Sequence, residues 1–560
     1  MSTLIDRARA WLRQDPDAET RDELALLITR AAGGSAEAQG ALEARFGSRL
    51  AFGTAGLRGE LGAGPNRMNR VLVTQAAAGL AAYLRARTGA PHGNGATPTV
   101  VVGYDGRKNS RVFATDSAEV FAGAGLRAVL LPRRLPTPVL AFAVRFLGAD
   151  AGVMVTASHN PPNDNGYKVY LGGADGGAQI VAPADEEIAA EIARVAAAGD
   201  ISVLPRSSAY EVAGEELVAA YIDRTAAVAP APEGLAGMRW VYTAMHGVGA
   251  ETFLRTVEKA GYPAPELVAE QRDPDPAFPT VAFPNPEEPG AMDLSFALAK
   301  RIDAAFVIAN DPDADRLAIA IPDETADGGW RRLTGNEVGL LLGARAARAA
   351  EGRPGASLAC SLVSSPGLGA VAAHHGLAFA ETLTGFKWIS RAPGMVFGYE
   401  EALGYLVNPE TLRDKDGISA AIAFLGLAAE ARGRGASLTE VLAEHAAVYG
   451  HYASGQVSIR VDDLSVIGKI MLSLRTLPPA RIGTSPVASA EDLSLPGGAL
   501  PPGDVLRYFL DDGSRVIVRP SGTEPKLKVY IDARADAASD ASSAVTQLEE
   551  GVRALLDERR

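Results

Sequence analysis

The sequence predicts a multidomain α/β protein: three mixed α/β units followed by a smaller α+β domain. At 560 residues the chain exceeds what one hydrophobic core serves, so three or four domains is the natural division. Short apolar runs alternate with helical patterns in three successive stretches, the rhythm of βαβ units around a largely parallel sheet. After His451 the rhythm changes to several strands and one terminal helix.

Residues 1–48 read as an N-terminal extension of two helices. Leu4, Ala8, Trp11 and Leu12 share one stripe, and Leu24, Leu26, Leu27 and Ile28 belong to the next. The extension is expected to pack on the first domain, residues 49–232. There, strand-like residues 100–103 run into Tyr104-Asp105-Gly106, and a helical pattern covers 110–123. Residues 128–131 are strand-like, 138–146 helical, and 151–156 strand-like again. A Pro/Gly-rich stretch, 229–237, leads to the second domain, 233–350, with strands at 240–243 and 305–309 and a helix at 251–260. Gly352-Arg353-Pro354-Gly355 opens the third, 351–450, with strands at 358–363 and 377–382 around a helix at 367–374. The fourth, 451–560, carries a Pro/Gly-rich loop at 496–503, strands at 505–510, 515–518 and 526–531, and the final helix.

Composition narrows the function classes. With 47% hydrophobic and 22% charged residues the chain is ordinary for a soluble globular protein. A net charge of −13 argues against a nucleic-acid or anionic-membrane partner, so cations serving an anionic substrate must be concentrated locally. Cys360 is the only cysteine, which excludes an internal disulfide and argues against cysteine-built zinc. Asp6, Arg7, Arg9 and Arg13 interrupt any signal-peptide core, and no run reaches the ~18 apolar residues of a membrane span. A soluble, cytoplasmic protein is expected.

Three segments carry chemistry. In Thr156-Ala157-Ser158-His159-Asn160-Pro161-Pro162 an apolar run delivers Ser158 to a strand end, and Asn-Pro-Pro breaks regular structure. Alone, this fits a turn serine better than a nucleophile, and the Gly-x-Ser-x-Gly elbow is absent. In Asn310-Asp311-Pro312-Asp313-Ala314-Asp315-Arg316, three carboxylates at alternate positions repel one another unless a cation lies between them. All-oxygen ligation points to a hard ion such as Mg²⁺. An EF-hand is excluded, because its sixth-position Gly is Arg316 and its twelfth-position Glu is Pro322. In Arg519-Pro520-Ser521-Gly522-Thr523-Glu524-Pro525-Lys526, two cations and two hydroxyls flank an open Gly, the chemistry of an anion clamp. Two further loops, Gly53-Thr54-Ala55-Gly56-Leu57-Arg58-Gly59 and Gly398-Tyr399-Glu400-Glu401-Ala402-Leu403-Gly404-Tyr405, offer a cation and two carboxylates that sugar hydroxyls could reach.

In this order the segments resemble the α-D-phosphohexomutase superfamily, the phosphoglucomutases and phosphomannomutases, from about residue 48 to the end. The resemblance implies four domains around a central cleft. It makes Ser158 the phosphorylated serine and Asp311, Asp313 and Asp315 the Mg²⁺ ligands, completed by an oxygen on Ser158. Glu400, with Glu401, falls in the sugar-recognition loop, and Arg519, Ser521, Gly522, Thr523 and Lys526 in the phosphate loop. Arg58, His159 and Arg316 match active-site positions; Lys168 and Lys387 match lysines with acid–base or phosphate-contact roles. Ala402 stands where many members carry Ser, and this version of the loop is similar to the longer phosphoglucomutase and phosphopentomutase branch.

The activity implied is interconversion of glucose 1-phosphate and glucose 6-phosphate through a phosphoserine, with glucose 1,6-bisphosphate as intermediate and activator. Phosphomannomutase, phosphopentomutase and glucose-1,6-bisphosphate synthase are the alternatives on the same scaffold. A non-catalytic phosphosugar sensor would need neither Ser158 nor the Asp triplet. The partners implied are a small phosphosugar, no nucleic acid and no membrane, in a monomer or dimer. Lys168, His159 and Lys387 are all candidates for moving the hydroxyl proton.

Overall fold

Apolar runs buried on both faces become central strands, and the sheet built on them fixes where Ser158 emerges. The computed structural model describes residues 2–89, 97–235, 237–461, 463–498, 500–521 and 526–559. It divides into two compact units, Met1–Arg332 with Gly404–Ala429, and Leu333–Leu403 with Glu430–Arg560.

In the first unit, Thr99–Tyr104 lies between Ala151–Val155 and Arg127–Leu130, all parallel, with Glu211–Val212 added beyond Arg127–Leu130. Ala151–Val155 is buried at every position, as a strand covered on both faces must be. Asp164–Leu171 then pairs antiparallel with Ala151–Val155, and Leu57–Glu60 antiparallel with Asp164–Leu171. Residues 156–163 are therefore the connection between two adjacent strands, with Ser158 at its start. Val100, Val102, Phe113, Phe121, Val153, Val155 and Tyr167 fill the core.

A second sheet in this unit has the order Trp330–Arg332, Ala318–Pro322, Val307–Ala309, Val241–Thr243, Glu266–Leu267. The Asp loop joins the antiparallel neighbours Val307–Ala309 and Ala318–Pro322. The N-terminal extension forms three helices, not two: Ser2–Gln14, Ala18–Ala32 and Ala36–Phe46. Gly34 takes a left-handed φ of 91°, and the Ser35 side chain caps the third helix by accepting from the Ala38 N–H. The extension docks through Leu4, Trp11, Leu24, Ile28, Leu42 and Phe46 onto Ala63 and Val71, whereas Leu26 of the expected stripe is exposed.

In the second unit Ser357–Ser361 lies parallel between Ala378–Thr382 and Met395–Glu400. An antiparallel sheet follows, in the order His451–Arg460, Lys526–Ala535, Arg515–Pro520, Leu506–Leu510, Ser485–Asp492. Beyond those expected are the strands His451–Arg460 and Ser485–Asp492, the short Arg481–Ile482 paired antiparallel with the latter, and a helix, Leu464–Thr476. Period-two alternation divides Arg515–Pro520 cleanly. Val516 and Val518 pack with Ile470, Met471, Leu548 and Val552 of the helices Leu464–Thr476 and Ala538–Glu558. Ile517 turns the other way and packs with Leu362, Val363 and Tyr530. No helix among the described residues is long and apolar enough to cross a membrane.

Candidate active site

Ser158 is almost fully buried and sits at φ 52°, a left-handed conformation that a non-glycine residue holds only when its surroundings enforce it. The enforcement is visible. The Ser158 N–H donates to Thr156 Oγ1 at 2.8 Å, and the buried Arg107 guanidinium donates to the Ser158 carbonyl at 2.6 Å. Arg107 also reaches the carbonyls of Asn160 (2.5 Å) and Pro161 (2.8 Å), tying the whole connection to one cation. So held, the Ser158 hydroxyl lies 2.8 Å from Asp311 Oδ2 and 3.1 Å from His159 Nδ1.

The three aspartates of the loop are fully buried, and one carboxylate oxygen from each lies within 4.8 Å of the others. Asp313 Oδ2 accepts from Lys168 Nζ (2.8 Å) and Thr137 Oγ1 (2.6 Å). Asp315 Oδ2 accepts from Lys168 Nζ at 2.8 Å and lies 2.7 Å from Lys415 Nζ. The Oδ1 atoms of Asp313 and Asp315 are buried without a hydrogen-bond partner among the described residues. Bare, buried carboxylate oxygens are strongly disfavoured unless a cation takes them, so the donor set fits a divalent ion with oxygen preference.

Burial, reinforced by Asp313 and Asp315, pushes the Asp311 carboxyl well above its usual range. Burial also opposes ionisation of Asp313 and Asp315, yet Lys168 and Lys415 beside them hold both below the ordinary carboxylate range. For Lys168, burial works against the charged form, but Asp313 and Asp315 outweigh it and hold the ammonium charged. In this arrangement Nζ bridges both carboxylates, which holds Lys168 as a cation. His159 is the reverse case: burial, then Arg316 and Arg58, push its imidazole well down, which favours the neutral form. Arg58 lies on the strand Leu57–Glu60 and donates to Asn160 Oδ1 at 3.1 Å. The Arg316 N–H donates to Asp311 Oδ1 at 3.0 Å, closing the Asp loop.

The other sequence candidates belong to the second unit. Lys387 lies on the short helix Phe386–Ile389. Glu400 is the last residue of the strand Met395–Glu400 and is half-buried, rather than lying in a loop as expected. Glu401, also expected to bind substrate, has Oε2 engaged by the hydroxyls of Ser361 (3.1 Å) and Ser364 (3.0 Å). Arg519 is the penultimate residue of the strand Arg515–Pro520, opposite Lys528, and the Ser521 N–H donates to the Lys526 carbonyl at 2.8 Å. Gly522 and Thr523 lie outside the described residues.

Sequence reading missed Arg107, Thr137 and Lys415. Arg107 directly follows the Tyr104-Asp105-Gly106 turn, a strand-end signal that could have drawn attention to it. Lys415 stands between Asp414 and Asp416, charges placed just before the apolar helix Gly417–Gly433. Asp414 accepts from the Tyr170 hydroxyl at 2.7 Å, and Asp416 from the Tyr221 hydroxyl at 2.9 Å. The two tyrosines thus pin the segment that aims Lys415 at Asp315.

Comparison with known proteins agrees across the chain. Residues 49–198, 219–325 and 334–449 match the phosphoglucomutase/phosphomannomutase alpha/beta/alpha domains I, II and III, and 481–546 match the C-terminal domain of the same series. A Haemophilus influenzae protein named "Probable phosphomannomutase" is 54% identical over 87% of this chain and 98% of its own. A Mus musculus phosphopentomutase is 35% identical over 95% of this chain and 90% of its own. A Staphylococcus epidermidis phosphoglucomutase is 33% identical over 87% and 91%. Among solved structures, a phosphoglucomutase/phosphomannomutase family protein from Burkholderia thailandensis superposes with a TM-score of 0.69 at 22% identity, covering 91% of this chain and 98% of that one.

Proposed function

The chain belongs to the phosphoglucomutase/phosphomannomutase family and is a phosphosugar mutase, and we propose that it interconverts glucose 1-phosphate and glucose 6-phosphate through phosphorylated Ser158. The observation that carries the mechanism is the Ser158 hydroxyl placed between the His159 imidazole and the Asp loop.

Phospho-Ser158 gives its phosphoryl group to the free hydroxyl of the bound monophosphate: the bond from phosphorus to Ser158 Oγ breaks as one to the sugar oxygen forms. The proton released by the sugar hydroxyl must leave, and Ser158 Oγ gains one; His159 Nδ1, 3.1 Å from Oγ, is placed to exchange it. The bisphosphorylated sugar then reverses and returns its other phosphate to Ser158. Lys168, Arg58 and Arg316 set positive charge around the reacting oxygens, and burial of Ser158 excludes water that would hydrolyse the phosphoserine. Asp311, Asp313 and Asp315, with an oxygen on Ser158, would hold Mg²⁺, which when bound supplies charge against the transferring group. Glu400 is read as the sugar contact and Arg519 with Ser521 as the holder of the non-reacting phosphate.

A mannose phosphate pair is the second reading, favoured by the 54% identity to the protein named "Probable phosphomannomutase". Glucose and mannose differ only at C2, and Ala402 offers no hydroxyl to read that difference. The test is kcat/KM for glucose, mannose and ribose 1-phosphates with Mg²⁺ and a trace of glucose 1,6-bisphosphate. Glucose is expected to lead, with mannose within about tenfold. A lead for ribose, or phosphate release without isomerisation, would overturn the assignment.

A further inference from the structure

One face of a single strand joins the two recognition groups of the second unit. On Arg515–Pro520, residues Arg515, Ile517 and Arg519 share a side, opposite Asp532, Tyr530 and Lys528 of the next strand. Arg515 is buried and uses its whole guanidinium. Nε donates to Asp532 Oδ2 at 2.8 Å, Nη1 to Glu381 Oε1 at 2.8 Å, and Nη2 to the Ser364 carbonyl. Ser364 in turn grips Glu401: its hydroxyl donates to Oε2 at 3.0 Å and accepts from the Glu401 N–H at 3.1 Å. Ser361 completes the grip at 3.1 Å. The backbone is seated as closely: a Cβ on Gly335 would lie 1.8 Å from the Glu401 carbonyl oxygen. Glu400 is the next residue along the chain.

We propose that Arg515 is a positioning residue that sets substrate length: through Ser364 and Glu401 it fixes Glu400 at a set distance from Arg519, four residues along its own strand. This rests on the reading of Glu400 as sugar contact and Arg519 as phosphate contact. The three acceptors are spread around one planar fork, so a lysine keeps the charge but cannot hold all three in register. Burial of Asp532 against Arg515 keeps that end of the tie stiff, since its carboxylate has no water as a substitute partner, while Glu381 is half-buried. A fixed separation accepts a phosphosugar of one length and rejects a shorter one.

The experiment compares Arg515→Lys, Ser364→Ala, their double variant and Arg507→Gln with the unaltered protein, using glucose 1-phosphate and ribose 1-phosphate. Arg507 also holds Glu381, at 2.8 Å, but through the oxygen that Arg515 does not use and without contact to Ser364, so it reports loss of a neighbouring ion pair with the Arg515–Ser364 link intact. Expected for Arg515→Lys and Ser364→Ala is a KM about tenfold higher for the better substrate, kcat within about threefold, and a kcat/KM lead over the poorer one narrowed about tenfold. The double variant should be no worse than about threefold beyond the worse single, because both act through one chain of contacts. Arg507→Gln should keep the lead within about twofold. If Arg515→Lys does not fold, Glu381→Gln, which loosens the same fork, replaces it in the cycle. Effects that multiply, an unchanged lead, or an unaltered protein that turns over both sugars equally would overturn the inference. Glu400→Gln is the control on the underlying reading: full turnover there removes that reading, whereas impaired Glu400→Gln beside normal Arg515→Lys removes only the role of Arg515.

Discussion

Ser158→Ala is expected to lower turnover by at least about 10⁴-fold while leaving the thermal midpoint within a few degrees. The asymmetry follows from what the hydroxyl touches. Oγ meets Asp311 Oδ2 and His159 Nδ1, so its loss removes one hydrogen bond to a carboxyl that burial already pushes toward the neutral form. The backbone ties, from Arg107 to the Ser158 carbonyl and from the Ser158 N–H to Thr156 Oγ1, survive the substitution. The neighbouring hydroxyl, Thr156 Oγ1, is itself engaged by the Ser158 N–H. Two measurements check this, steady-state isomerisation and uptake of phosphate by the protein from glucose 1,6-bisphosphate. Retention of more than about 1% of turnover would sink the serine mechanism.

What the sequence disclosed divides along a physical line. Strands such as Thr99–Tyr104 and Val307–Ala309 announce themselves because full burial demands unbroken apolar runs. The Asp loop is legible for the opposite reason, since like charges that close need an explanation. Residues acting across the fold carried no such local mark. Arg107 reaches Ser158 from 51 positions away, and Lys415 lies 100 residues from the aspartate it pairs with (415 − 315). Glu401 sits one residue past the strand Met395–Glu400, and its Oε2 is held by serines 37 and 40 residues upstream, contacts that no local pattern announces. The helix break at Gly33-Gly34-Ser35 was missed because stripe counting follows apolar residues and not caps. Lys168 was readable as a cation near the site, while its state depends on Asp313 and Asp315, 145 and 147 residues away.

Those two aspartates set up the second large effect. Asp313→Asn keeps the side-chain volume and removes one charge, and turnover at a saturating phosphosugar is expected to fall about 10³-fold, or about 4 kcal/mol. Asp313 Oδ2 serves Lys168 and Thr137, while its bare Oδ1 is one of the oxygens offered to an ion. An amide at this position either turns an NH₂ toward the Lys168 ammonium, a donor against a donor, or turns it into the ion's place; neither orientation preserves both contacts. The charge balance changes too. Lys168 and Lys415 face Asp315 with one fewer carboxylate to share, which favours ion pairing at Asp315 over cation ligation there. Turnover should therefore require a higher Mg²⁺ concentration as well as being slower, and activity measured across a Mg²⁺ titration separates the two. A variant whose half-saturating Mg²⁺ matches that of the unaltered protein would show that Asp313 serves only to hold Lys168. Chelation of divalent ions provides the limit: if the unaltered protein keeps its rate after exhaustive chelation, the Asp loop is a buried salt-bridge network, and Ser158 works with Lys168, Arg58 and Arg316 alone.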